Sequence, residues 1–179
     1  MSVQVCWPSS GTGSGGRGTV RPERVRRAEA RVVGIQAQTS SLLEADPATA
    51  AVPALWRRFE ADGLADRIPD RAGTRTTCAV YSDYQEGEGD VRRFRCLVGA
   101  EVTGQGEVPE GMAAVTVPAG DYLVFAARGP MPEALAATWA RVAEFFEHAP
   151  MARAFTADLE VHYPAGSAVD VLVAIADAR

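Results

Sequence analysis

The stretch TADLEVHYP, residues 156–164, alternates two kinds of side chain. Leu159, Val161 and Tyr163 fall on one face of an extended chain, and Asp158, Glu160 and His162 on the other. That pattern, stopped by Pro164, predicts a strand with one face on a core. Its polar face is either solvated or aimed into a cleft. In a cleft, Glu160 is the residue with chemistry to offer. A carboxylate withdrawn from water among aromatic rings favours a cation, and desolvated ring faces add cation–π attraction of about 2 kcal/mol. The same carboxylate can also serve as a general base that directs water.

Other chemistries find no footing. His148 and His162 are the two histidines, and Cys6, Cys78 and Cys96 the three cysteines. None stands at H-x-x-H, H-E-x-x-H or C-x-x-C spacing, so no metal site is expected, and no cofactor either. GTGSGG at 11–16 has the letters of G-x-G-x-x-G. That motif needs a strand before it and a helix after it to set a helix N-terminus against pyrophosphate, and here both are lacking. No G-x-S-x-G elbow supports a serine nucleophile, and GSA at 166–168 reads as a turn. The odd cysteine count predicts free, buried thiols, although Cys78 and Cys96 fall on neighbouring strands.

The elements that must position Glu160 follow from periodicity. ARVVGIQAQ (30–38) reads as a strand, SSLLEADPATA as a connector, and residues 51–69 as a helix from about Pro53, ended by Gly63. Residues 74–84 and 92–102 form a hairpin around an acidic, Gly-containing loop. Residues 111–129 are two strands around a Pro-Ala-Gly break. Residues 131–150 are a helix whose Leu135, Trp139, Val142 and Phe146 make one stripe. The chain closes with a second hairpin that contains Glu160.

A strand–helix–strand–strand unit thus occurs twice: VVGIQAQTS corresponds to YLVFAARGP, ALWRRF to ATWARV, and AVYSDY to LEVHYP. Two such units sharing one antiparallel sheet, with both helices on one face, make a two-layer α+β domain. The seam between them is the natural place for a ligand cleft. This domain is assigned to residues 29–179. Residues 1–28, rich in Gly and Arg, are assigned to a disordered tail, since they cannot bury enough surface to offset ordering.

Charge narrows the partners. The first 30 residues carry five arginines and two glutamates, and the remainder 13 arginines against 21 acids, a net −8. An acidic body argues against direct nucleic-acid binding. The apolar runs fall short of the ~20 residues of a membrane helix, and the N-terminus lacks a secretory pattern. A cytoplasmic protein is expected.

The chain resembles the GyrI-like small-molecule-binding domain, the effector-binding half of AraC-type and MerR-type multidrug regulators. The resemblance rests on RVVGIQAQTS, VPALWRRFEADGLADRIP and YSDYQEGEGDVRRFRCLVGAEV. It continues through the Pro-Ala-Gly-x-Tyr turn and second helix of VPEGMAAVTVPAGDYLVFAARGPMPEALAATWARVAEFF, and ends with DLEVHYP before VDVLVAI. It covers about residues 29–176. It implies a pseudo-twofold pair of units with a cleft for lipophilic, often cationic, compounds, and a glutamate on the penultimate strand inside it, at the position of Glu160. Trp56, Tyr81, Tyr122, Trp139 and Tyr163 are the candidates for its walls. Strict alternation sets Tyr163 opposite to Glu160, so the two share a cleft only if a bulge or the strand end breaks the pattern. Residues 1–28 do not form a helix-turn-helix, so the resemblance is to a stand-alone form, with a link to drug sensing or resistance. Two alternatives travel with it. One is a hydrolase of cyclopropane-containing toxins that uses the same glutamate. The other is a protein inhibitor of DNA gyrase.

Overall fold

The computed structural model describes residues 21–73, 75–88, 91–164 and 168–176. Most of the expected tail, residues 1–20 with Cys6 and GTGSGG, lies outside them, as does the turn at 165–167. Among the described residues, eight strands form one wholly antiparallel sheet: β1 Glu23–Arg27, β2 Ala30–Ser40, β3 Thr77–Glu86, β4 Arg92–Val102, β5 Ala113–Val117, β6 Gly120–Arg128, β7 Ala157–His162 and β8 Ala168–Ala174. Their order is β1-β6-β8-β7-β3-β4-β2-β5. The helices are the short α1 Ser41–Glu44, α2 Val52–Ala61 and α3 Glu133–His148. The fold is α+β, with the duplicated units as expected. β2-α2-β3-β4 and β6-α3-β7-β8 are equivalent and meet where β3 pairs with β7.

Local chemistry accounts for the helix ends. Pro53 stands in the first turn of α2, where a missing N–H costs nothing. Gly63, at φ 58°, takes the left-handed conformation that ends it, and a turn of 3₁₀ helix follows at Leu64–Arg67. The connector after β2 contains α1, capped by the Ser40 hydroxyl, which accepts from Leu43 N.

One boundary is corrected. Residues 23–27, assigned to the tail, are strand β1, paired with β6 from Glu23↔Val124 to Arg27↔Gly120. The run ERVRR has little apolar content, as suits an edge strand. Arg24 bonds Asp121, and Arg27 reaches Glu101 at 3.1 Å. The two outermost strands are exchanged: β1 precedes β2 but pairs with β6, and β5 precedes β6 but pairs with β2. Each unit's leading strand thus completes the other unit's edge.

The sheet buries both faces. On the helix-free face, Val32, Val80, Leu97, Val117, Leu159 and Leu172 belong to one cluster that spans the sheet, so the sheet coils over itself. β2 and β4 approach so closely at the opposed pair Gly34 and Gly99 that a Cβ on either would lie 2.0 Å from a backbone oxygen. The helix-bearing face has two clusters. Leu55 and Phe59 of α2 pack on Val33, Ile35 and Val98, while Val142 of α3 packs on Leu123, Phe125 and Val171. α2 lies over β2 and β4, and α3 over β6 and β8, with the seam strands β3 and β7 between them. Cys78 and Cys96 are free and buried, on opposite faces of the sheet.

Candidate functional site

The ladder places Glu160 opposite Ala79 of β3 and Val171 of β8, in the strip between the helices. Opposed residues share a face, and the small side chain of Ala79 leaves room above it. Into that strip lean Trp139 from α3 and Trp56 from α2, one from each unit. Glu160 is 3 % exposed. At Glu160 the polar face of β7 is therefore not solvated.

Its two oxygens have different surroundings. Oε1 accepts from the Tyr81 hydroxyl at 2.8 Å and the Trp139 indole N–H at 2.6 Å. Oε2 lies 3.3 Å from His162 Nε2. No arginine among the described residues is paired with it. The Tyr81 ring meets Trp139 edge-on with centroids 5.6 Å apart, and the Trp56 ring lies 4.3 Å from that of His162. Burial, and next the charge of Glu160, hold the Tyr81 hydroxyl well above its ordinary value, so it stays a donor.

Two residues before Glu160 on the same face, β7 holds a second buried carboxylate. Asp158 is fully buried, salt-bridged to Arg153, and accepts from Tyr84 Oη at 2.7 Å and Ala174 N at 2.9 Å. Phe155, at φ 52°, meets Tyr84 edge-on and carries the guanidinium carbons of Arg92 and Arg153 at 3.9 and 4.6 Å from its ring centroid. Phe94 lies between Tyr84 and Tyr81, so rings run in contact from Trp139 to Phe155. Asp158 is compensated by a cation; Glu160 is not.

Of the expected site residues, Glu160, Trp56, Tyr81 and Trp139 come together. Tyr122 and Tyr163 do not. Both belong to or pack on the helix-free cluster, because alternation along their strands turns them from the helices. The Tyr122 hydroxyl donates to Pro118 O at 2.8 Å, and that of Tyr163 to Asp170 at 2.8 Å. Tyr122 instead helps line a cavity of about 240 Å³ with Arg26, Pro118, Asp121, Ala154 and Thr156. His162 and Asp158 were not expected as site residues. The polar alternation on β7 marked both, but not the cover over that face.

Residues 25–175 match the profile of Cass2, the integron-associated effector-binding proteins. The chain belongs to that family. Among solved structures, this effector-binding protein is similar to an integron cassette protein from the mobile metagenome of Vibrio cholerae. The two share 23 % identity over 88 % of this chain and 97 % of that one, with a TM-score of 0.73. A structure of SAV2435 bound to tetraphenylphosphonium is similar at 12 % identity over 88 % and 95 % of the two chains, with a TM-score of 0.70. The C-terminal domain of EcmrR follows at 12 % identity over 88 % and 98 %, TM-score 0.55. At these identities the likeness is one of fold. No curated protein is similar enough to count as a match. No helix among the described residues is long and apolar enough to cross a membrane.

Proposed function

We propose that this protein binds a lipophilic organic cation at the seam between its two units, with Glu160 as the anchor and Trp56, Tyr81 and Trp139 as walls. The observation that carries the reading is the state of Glu160, almost fully buried beneath aromatic rings and lacking a paired arginine among the described residues. A buried carboxylate without a full countercharge is costly to the fold, and a cation entering beside it relieves that cost. Recognition by one charge and several ring faces favours charge and flatness over hydrogen-bond detail, which suits an effector site open to many compounds. Tetraphenylphosphonium, the ligand bound in the SAV2435 structure, has that chemistry.

Binding of tetraphenylphosphonium and of a neutral compound of similar shape to wild type and Glu160→Gln, followed by calorimetry, tests this. Wild type is expected to prefer the cation, and the variant to lose that preference by roughly tenfold or more in Kd. Equal affinity of both proteins for the cation overturns the reading. Mass analysis of the recovered compound separates binding from hydrolysis, since a hydrated product would identify Glu160 as a base that directs water.

A further inference from the structure

The two oxygens of Glu160 divide the site. Oε1 is taken by two neutral donors built into the walls, Tyr81 and Trp139. Oε2 faces His162 alone among the described hydrogen-bonding groups, at 3.3 Å. The imidazole also lies against the Trp56 ring, with centroids 4.3 Å apart and planes tilted by 45°. A flat group that can carry positive charge, held between an aromatic face and a carboxylate oxygen, is what the binding reading asks of a ligand. The His162 side chain is 27 % exposed and that of Glu160 4 %, so the ring stands on the solvent side of the carboxylate.

We propose that His162 is the resident occupant of the cation seat and the residue that sets its selectivity. Resting on the function proposed above, this assigns Oε2 as the oxygen that receives the ligand and the imidazole as the group that the ligand displaces. A weak cation cannot displace it, whereas one with large apolar area can. Protonation of the ring sharpens the competition, because the imidazolium then pairs with Glu160. The groups described around the ring are Glu160 on its own strand, Trp56 from α2, and Thr77 and Val169 opposite it on β3 and β8. Of these, Glu160 alone is ionisable.

The test is calorimetric titration of the full chain with tetraphenylphosphonium at about pH 8 and about pH 6. Wild type, His162→Ala, His162→Gln and Glu160→Gln are compared. His162→Ala is expected to bind roughly tenfold tighter than wild type at the lower pH, with the gap narrowing at the higher one. His162→Gln keeps a polar side chain that cannot protonate, and its affinity should not change with pH. It also serves if the alanine variant does not fold. In wild type, the imidazole resonances of His162 should move on saturation while those of His148 stay. Binding by both His162 variants that matches or falls below wild type at both pH values overturns the proposal while leaving the role of Glu160 standing. If Glu160→Gln binds as wild type does, or no protein binds, the functional reading fails and this inference with it.

Discussion

The Trp139 indole N–H and the Glu160 carboxylate meet at 2.6 Å, and the Tyr81 hydroxyl donates to the same oxygen at 2.8 Å. Through one oxygen, a helix and strand of the second unit are joined to β3 of the first. Glu160 is buried, so the loss of either donor leaves its carboxylate under-satisfied rather than returned to water.

Trp139→Phe keeps an aromatic ring edge-on to Tyr81 and removes the donor. It should cost about 1–3 kcal/mol, the range for a buried group deprived of its partner. Urea unfolding checks this. A midpoint equal to wild type would mean that Glu160 does not depend on the indole.

The tyrosines make stability fall in alkali. Burial is the first cause in all four. It is followed by the charge of Glu160 for Tyr81 and of Asp158 for Tyr84, and by the Asp170 hydrogen bond for Tyr163. Tyr81 and Tyr84 are held well above 10, Tyr122 is raised, and Tyr163 is pushed up to about 12. The folded chain therefore keeps protons that the unfolded chain releases near pH 10. Stability is complete below about pH 10 and is lost as pH rises toward the folded values. Near-ultraviolet absorbance should show tyrosinate together with loss of circular dichroism. A tyrosinate step near pH 10 in a still-folded protein would contradict these assignments.

Asp158 is fully buried and paired with Arg153, whose side chain is 22 % exposed. Arg153→Met should destabilise by about 3 kcal/mol, because it strands a buried carboxylate. No loss at neutral pH would show the pair to be dispensable.

At Gly34 and Gly99 the backbones of β2 and β4 leave no room for a methyl group. Gly34→Ala forces the strands apart and is expected to cost about 3 kcal/mol, at the upper end of overpacking penalties. Thermal unfolding of the variant reads this directly, and an unchanged Tm would mean that the sheet relaxes there at no cost.

The repeat was legible because its signals are local. VVGIQAQTS and YLVFAARGP became β2 and β6, and ALWRRF and ATWARV the cores of α2 and α3. Strand β1 was missed because ERVRR offers one apolar residue, Val25, and so no apolar alternation. Its place is set by β6, 97 residues away in the Arg24–Asp121 pair.

The alternation of β7 belonged to the sequence from the start: successive side chains on an extended chain point to opposite faces, so Glu160 and Asp158 had to oppose Leu159 and Val161. The same local rule set Tyr163 apart from Glu160. What lies over each face is not local. The sheet coils until one face packs on itself, and two helices from different units flank the other, which buried a polar run that reads equally well as solvated. Only tertiary structure decided that Tyr81, 79 residues from Glu160, and Trp139, 21 residues away, would share one carboxylate oxygen, with His162 on the other. A side chain's direction is dictated by its own backbone, whereas its neighbours are chosen by the packing of the whole chain.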